Sequence, residues 1–434
     1  MIIIKLKKGK EKKIKNGYLW IFKDEISEIT GEKIDGELCN VFSHDYEFIG
    51  KGIFSKSSNI SVKILSITDE EINEKFFYKK FVSALKLRAE FGDSYRFFHA
   101  EADGIPGLII DKYEDFLVIQ FRNKGVENKK EEIINALLKV FENNIKGIYE
   151  RSDFETSSKE NLERNTGLLY GVEPPDNFII EEEGIKYIVD IKNGQKTGFF
   201  FDQRKNRIYI RQFSKDAVGL DAYSYTGGFA LNMAKYGAKK ITAVDKDEYA
   251  LELLKENAKL NGVLDKIETV YDDVENFLSK TNEKYNLMML DPPSLIKKKT
   301  ERFKGVQIFK KISKLGIEKL EDFGILSLCS CAYQADISLL VESLRRSVEN
   351  EGIMLQNLDI ITQSNDHPWI LQIPESLYEY MPSILAHIIH SMKYPQKYWG
   401  PELYLGAQGP DVFFYVNEEE YQKVGDELHK LSST

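Results

Sequence analysis

The chain has 434 residues, 42% hydrophobic and 30% charged, the composition of a globular protein too long for one ordinary domain, so two or three domains are expected. It lacks the apolar run of about 18 residues that a membrane span needs, and the apolar patch within Met1–Leu6 is too short for a signal-peptide core. Three cysteines, Cys39, Cys329 and Cys331, exclude a disulfide framework and point to a reducing cytoplasm, while a net charge of −9 argues against nucleic acid unless basic residues cluster.

They do cluster. Lys5, Lys7, Lys8, Lys10, Lys12, Lys13 and Lys15 crowd the N-terminus, with Glu11 the only acid among them. Such a run is ordinarily a solvated face. A second cluster, Lys297-Lys298-Lys299 with Arg302 and Lys304, gains weight because it follows a motif described below. Residues 1–72 read as a small β-rich domain. Its short runs, such as Tyr46–Phe54 and Ile60–Leu65, alternate apolar and polar residues between turns. From Glu70 to Phe91 the spacing of Phe76, Phe77, Phe81 and Leu85 predicts a helix. Residues 73–185 form a mixed α+β segment, with strands at Gly107–Ile110 and Phe116–Phe121 and a helix near Lys129–Asn143. Asp103-Gly104-Ile105-Pro106-Gly107 is turn chemistry.

Over residues 186–380 strands alternate with helices, which implies βαβ units and a parallel-rich sheet, an α/β fold. The expected strands are Gly219–Tyr223, Lys240–Val244, Ile267–Val270, Leu287–Leu290 and Gly324–Leu328. A helix over Glu248–Leu260 stops at Asn261-Gly262. The first strand runs into Tyr223-Ser224-Tyr225-Thr226-Gly227-Gly228, a tight turn that opens a helix, where a ligand sits outside the strand's carboxyl end. A lone Gly-Gly is weak evidence, since turns alone explain many. The second strand, however, ends in Asp245, a carboxylate placed to hold both ribose hydroxyls, and the pocket lies between Tyr223 and Asp245. The third strand leads to Asp272-Asp273 and the fourth to Asp291. Each aspartate could merely cap the next helix, a reading that strains over the whole series. A dinucleotide dehydrogenase is disfavoured because Ser224, Thr226 and Ala230 break Gly-x-Gly-x-x-Gly. With no pyrophosphate to cradle, S-adenosyl-L-methionine is the cofactor that fits.

Leu290-Asp291-Pro292-Pro293-Ser294 follows the fourth strand, its prolines fixing the backbone that carries Asp291 against a planar substrate. The fifth strand runs into Cys329-Ser330-Cys331. A single cysteine there would read as a small buried hydrophobe; a pair at the carboxyl end of a parallel strand favours a nucleophile. Pyrimidine C5 is too poor a nucleophile to take a methyl group from a sulfonium, and thiolate addition at C6 makes it enamine-like. For cytosine, a carboxyl near N3 assists that addition, and Asp291 is the candidate. No histidine lies near the cysteine pair, so no metal is expected.

These motifs resemble the RlmI family of large-subunit ribosomal RNA cytosine-5 methyltransferases. The likeness runs from Lys8-Gly9-Lys10 and Trp20-Ile21-Phe22 through His99–Gly107, Gly194–Arg204, Ser224–Phe229, Asp291-Pro292-Pro293, Ser330-Cys331 and Asp366-His367-Pro368. It implies a PUA-like RNA-binding domain, an α+β middle domain and a Rossmann-like class I methyltransferase domain. It further implies that Asp245 holds the cofactor ribose, Asp273 lies on the adenine side, Gln203 is a nearby cofactor contact and Cys331 is the nucleophile. Ala332 stands where the family's second serine is usual, and Cys329 is then secondary.

Past Pro374-Glu375-Ser376-Leu377-Tyr378 the likeness ends. Leu405–Tyr415 resembles the start of a zinc-dependent phospholipase C-like family over about 50 residues. Residues 381–434 are therefore expected to be an unrelated, catalytically empty stub. Ribosomal RNA is the expected partner and no membrane is; a homodimer is allowed by the sequence without being specified by it. Two alternatives stay open: methylation of an exocyclic base nitrogen, which needs no cysteine, and a non-catalytic RNA-binding or ribosome-assembly factor.

Overall fold

A computed structural model describes residues 1–154, 162–293, 296, 301–330 and 337–373, and the backbone of 386–393. Its first unit holds β1 (Ile2–Leu6), α1 (Glu11–Lys15), β2 (Trp20–Phe22), β3 (Ile26–Thr30), β4 (Leu38–Phe42), β5 (Phe48–Phe54) and β6 (Ile60–Ser66). These form a six-stranded sheet in the order β2-β6-β5-β4-β1-β3, with only β1 and β4 parallel. Alternation drives it: Ile2, Ile4 and Leu6 point inward onto Val41, Val62 and Ile64. Cys39 lies in this core, and burial pushes its thiol up to about 12, so it is an inert packing residue.

The middle unit begins with α2 (Glu74–Leu87), whose N-cap Asn73 accepts from the Lys75 and Phe76 amides. Strands β7 (Ser94–His99), β8 (Leu108–Tyr113) and β9 (Phe116–Phe121) follow. After α3 (Lys124–Glu127) and α4 (Lys130–Val140) come β10 (Gly147–Ser152) and β11 (Asn165–Gly171). The sheet order is β11-β10-β9-β8-β7, and the one parallel pair, β9 with β10, is the pair that α3 and α4 bridge. Phe76, Phe77 and Phe81 of α2 pack with Phe97, Leu137 and Ile148 in one core.

Next comes the hairpin β12 (Phe178–Glu182) and β13 (Ile185–Val189). The domain break expected at 185 falls inside it. Phe178, Ile180, Ile185 and Tyr187 share a core with Phe116 and Tyr149 of the middle sheet as well as with Leu231 and Leu254 of the following α/β unit, and it is hydrogen bonds that tie the hairpin to that α/β unit. Asn257 and Asn261 fix it there by accepting from the Ile188 and Lys186 amides. A two-stranded ribbon has no periodicity that ties it to either neighbour; these hydrogen bonds decide.

The α/β unit contains α5 (Arg204–Ile210), β14 (Val218–Ala222), α6 (Gly228–Lys235), β15 (Lys240–Asp245), α7 (Glu248–Leu260), β16 (Ile267–Tyr271), α8 (Val274–Lys280) and β17 (Tyr285–Leu290). It continues with α9 (Arg302–Lys319), β18 (Leu320–Leu328), α10 (Ile337–Ser347), β19 (Ile353–Ile361) and β20 (Ala386–Lys393). The sheet order is β16-β15-β14-β17-β18-β20-β19. The first five strands are parallel, and the chain reverses direction across the sheet at β14, which opens a crevice at the carboxyl ends of β14 and β17. Strand β20 corrects the expected stub: residues 386–393 run antiparallel between β18 and β19. This pairing is main-chain hydrogen bonding, which any sequence able to extend can supply, so resemblance alone could not reveal it.

Candidate active site

The glycine turn after β14 is built from strained backbone. Tyr223, Tyr225 and Gly227 have φ of 66°, 47° and 89°, and a Cβ on Gly227 would lie 2.6 Å from Leu254 Cγ, so only glycine fits. Two strained non-glycine residues in so short a loop mark a place where the surroundings impose the backbone. The imposing groups are visible. The Tyr223 and Ser224 amides both donate to the Val244 carbonyl, the Tyr225 amide donates to Asp245 Oδ2 at 2.8 Å, and Asn257 Nδ2 donates to the Thr226 carbonyl at 3.1 Å. Asp245 Oδ1 accepts from the Asp247 amide. The Asp245 carboxylate thereby locks both loops that flank the pocket.

Asp221, inside β14, was not singled out by its sequence position. It is fully buried, its Oδ2 accepts from the Ala230 amide at 2.7 Å, and its Oδ1 has no protein partner among the described residues. Burial raises its pKa to about 7, aided by the nearby Asp291 and Asp245 carboxylates. Ser224 Oγ is likewise buried with no partner among the described residues. The signal for Asp221 was a carboxylate within an apolar strand, which needs a reason to be there. Tyr223 is held protonated, mainly by burial and then by the Glu275, Asp273 and Asp245 carboxylates.

Asp273 takes the role of a helix cap: its Oδ1 accepts from both the Glu275 and Asn276 amides at the start of α8. Asp272 supports it by accepting from the Asp273 amide. Both bonds fall on one oxygen of Asp273, an exposed residue whose charge acts on the Tyr223 hydroxyl.

Asp291 directly follows β17, and its amide reaches the Ala222 carbonyl at 3.3 Å, while the Cys329 amide donates to the Leu290 carbonyl. The ends of β14, β17 and β18 are thus tied side by side. Gln203 Nε2 donates to Asp291 Oδ2 at 2.7 Å, and Gln203 Oε1 accepts from Asn206 Nδ2 at 2.8 Å, which fixes the amide's direction. Burial, then the charge of Asp202, raises the Asp291 pKa to about 7. Cys329 is buried in the core beside Ser327, and burial together with Asp291 drives its thiol well above its ordinary range. Cys331, Ser294 and Lys297–Lys299 lie outside the described residues.

The His99–Gly107 and Asp366-His367-Pro368 segments, far apart in sequence, meet in a buried clamp. Arg88 pairs with Asp103 at 2.7 Å and donates to the Asp366 carbonyl. Asp366 accepts from the Arg96 amide and from His367 Nδ1. Ser364 reaches the Asp202 carbonyl. This network fastens the middle sheet to the catalytic unit and sets the position of Asp202, next to Gln203.

Residues 4–67 match the PUA-like domain family, and residues 178–303 match the TRM5/TYW2 methyltransferase domain. Solved structures share the fold: a protein from Streptococcus mutans described as a SAM-dependent methyltransferase superposes with a TM-score of 0.76 at 24% identity, covering 90% of this chain and all of that one. A methyltransferase complexed with SAH gives 0.77 at the same identity and coverage. Ribosomal RNA large subunit methyltransferase I of Vibrio campbellii is 36% identical over 386 residues, 86% of this chain and 97% of that protein. Its counterpart in Aeromonas salmonicida is 34% identical over 390 residues, 87% and 97% of the two chains. At 36% and 34% identity over 86% and 87% of its length, and 97% of theirs, the chain belongs to the ribosomal RNA large subunit methyltransferase I family.

Proposed function

We propose that the protein methylates C5 of a cytosine in large-subunit ribosomal RNA through a covalent adduct with Cys331. At the coarser level it is an S-adenosylmethionine-dependent rRNA methyltransferase, as its family is. The observation that carries the finer reading is Asp291: a carboxyl with a pKa of about 7, aimed by Gln203, at the strand end adjoining the strand that leads to Cys331. A group poised near neutrality is suited to hold or give a proton at cytosine N3 while C6 is attacked.

The residues fit the cofactor. Asp221 Oδ1 and Ser224 Oγ are buried polar atoms at the glycine turn whose hydrogen bonds a ligand would complete. When bound, the cofactor supplies an electrophilic methyl group on a sulfonium. Asp245 would hold the ribose hydroxyls, Asp273 would face the adenine side, and Tyr223, Ser224, Thr226, Gly227 and Gln203 would line the pocket. Cys331 as thiolate would add to C6 and make C5 nucleophilic. After methyl transfer, loss of the C5 proton and elimination of the thiolate would restore the aromatic ring and the enzyme. The N-terminal unit would hold RNA phosphates with its exposed lysines, Lys7, Lys8 and Lys12.

RNA carrying 5-fluorocytosine tests the reading, because fluorine at C5 is not lost as a proton is. It should trap the protein as an adduct whose mapped peptide contains Cys331. No adduct, with an N-methylated nucleoside found by mass spectrometry, would establish the exocyclic-nitrogen reaction instead. Separately, Asp245→Asn should weaken S-adenosylmethionine binding by about 1–3 kcal/mol through lost charge-assisted hydrogen bonds. Unchanged affinity by calorimetry would remove Asp245 from the site.

A further inference from the structure

A second concave site lies in the middle unit. It has a volume of about 240 Å³ and is bounded on one side by the β7–β10 sheet and on the other by residues 194–197, the loop after β13. Arg96, Arg122, Arg151 and Lys196 line it, against a single lining carboxylate, Asp153. Three of them are paired with carboxylates, Arg96 with Asp111, Arg151 with Asp153 at 3.2 Å and Lys196 with Asp202, so the wall is a dense, largely compensated and fixed set of charges.

The cations are of two kinds. Arg96 is paired with the buried Asp111 at 2.5 Å, and Lys196 with Asp202 at 2.7 Å, so both are held in place by acids behind them. Arg151 donates to the Ile191 and Gly194 carbonyls and thereby anchors the loop that closes the pocket. Arg122 lies with its guanidinium over the Phe154 ring, 4.3 Å from its centre, so two planar groups meet at this wall. Arg122 also donates to Gln120 Oε1, which leaves the NH2 end of that amide as its remaining hydrogen-bonding group. A flat aromatic and guanidinium wall, an oriented amide and fixed cations are together suited to one planar base with its phosphate. An inorganic anion would have no use for the flat wall.

The pocket is coupled to the reaction site without being part of it. Its wall residue Gln195 donates its amide to the Tyr225 hydroxyl, and Tyr225 is the residue that Asp245 holds. The Lys196–Asp202 pair stands between the pocket and Gln203, which contacts Asp291. The pocket wall is thus linked by hydrogen bonds and an ion pair to the residues that hold Asp245 and Asp291.

We infer that the pocket formed by Gln120, Arg122, Arg151, Phe154 and Lys196 holds an unpaired RNA nucleotide flanking the one that is methylated. Single-stranded segments are read in this way, with splayed bases stacked on aromatic and guanidinium planes. The inference rests on the RNA reading above, and its test is independent of methylation. A short single-stranded RNA bearing 4-thiouridine on either side of the target should crosslink to a peptide containing residues 119–122 or 151–154. Arg122→Ala should weaken binding of the same RNA at least tenfold, with cofactor affinity unchanged. Arg122→Lys, which keeps the charge and loses the planar guanidinium, should recover only part of the loss. Crosslinks confined to other segments would overturn the inference, as would inorganic phosphate competing the RNA away through Arg122 with no dependence on Phe154. Should Arg122→Ala unfold, the wild-type crosslink decides. If RNA crosslinks here yet no base is ever methylated, the catalytic reading fails and this site stands. Normal methylation with no crosslink here fails this site alone.

Discussion

Cys331→Ala should abolish methyl transfer, by about 10⁴-fold or more in single-turnover rate, while cofactor binding persists. The magnitude follows from what removing a nucleophile costs when no other group can form the intermediate. Without addition at C6, C5 of cytosine stays part of an aromatic ring and does not attack a sulfonium methyl group. Cys329 does not serve as a substitute. It is buried in the core, and burial beside Asp291 keeps its thiol protonated well above neutral pH. Cys329→Ala should therefore cost on the order of 1 kcal/mol of stability and leave most of the activity. Rapid-quench assays on both variants, with denaturing gels to detect the RNA adduct, distinguish the roles. An active Cys331→Ala enzyme would rule out the covalent route through that residue.

Asp221→Asn should make the cofactor-free protein more stable at alkaline pH. The Asp221 pKa is about 7 in the folded chain, against an ordinary value of 3.8. The folded state thus holds a proton that the unfolded state has released between those values, and stability falls as pH rises through that window. At about 1.4 kcal/mol per unit, the full cost above pH 7 is up to about 4 kcal/mol. Asparagine keeps an oxygen for the Ala230 amide and never ionises, so it escapes the cost. The melting temperature should exceed that of the wild type by several degrees at pH 8.5, and the gain should shrink steadily toward pH 4. A gain that does not vary with pH would mean the buried carboxyl titrates normally. The same substitution should weaken cofactor binding if the cofactor completes the Asp221 oxygen that has no partner among the described residues, beside the Asp245 and Asp291 carboxylates. Stability given up at a binding site is the expected trade.

The sequence by itself determined the elements whose signal is local. Helix α7 spans Glu248–Leu260 as its amphipathic spacing and its Asn-Gly stop require, and β9 spans Phe116–Phe121. The strand–helix alternation from Val218 onward determined a parallel sheet, and the carboxylates Asp245 and Asp291 fell at strand ends because period-2 and period-3.6 patterns change there. The glycine turn was legible for the same reason: Gly227 answers a steric demand of its own neighbourhood. Tertiary structure alone decided the rest. It tied the hairpin β12–β13 to α7 of the catalytic unit, and drew residues 386–393 into the sheet past an expected boundary at 380. It also turned Asp221 from one more strand residue into a carboxyl with a pKa near 7, and joined Arg88 and Arg96 to Asp366. Each of these depends on which surfaces meet in the folded chain, and desolvation and main-chain pairing between separate segments leave no periodic trace in the chain that will form them.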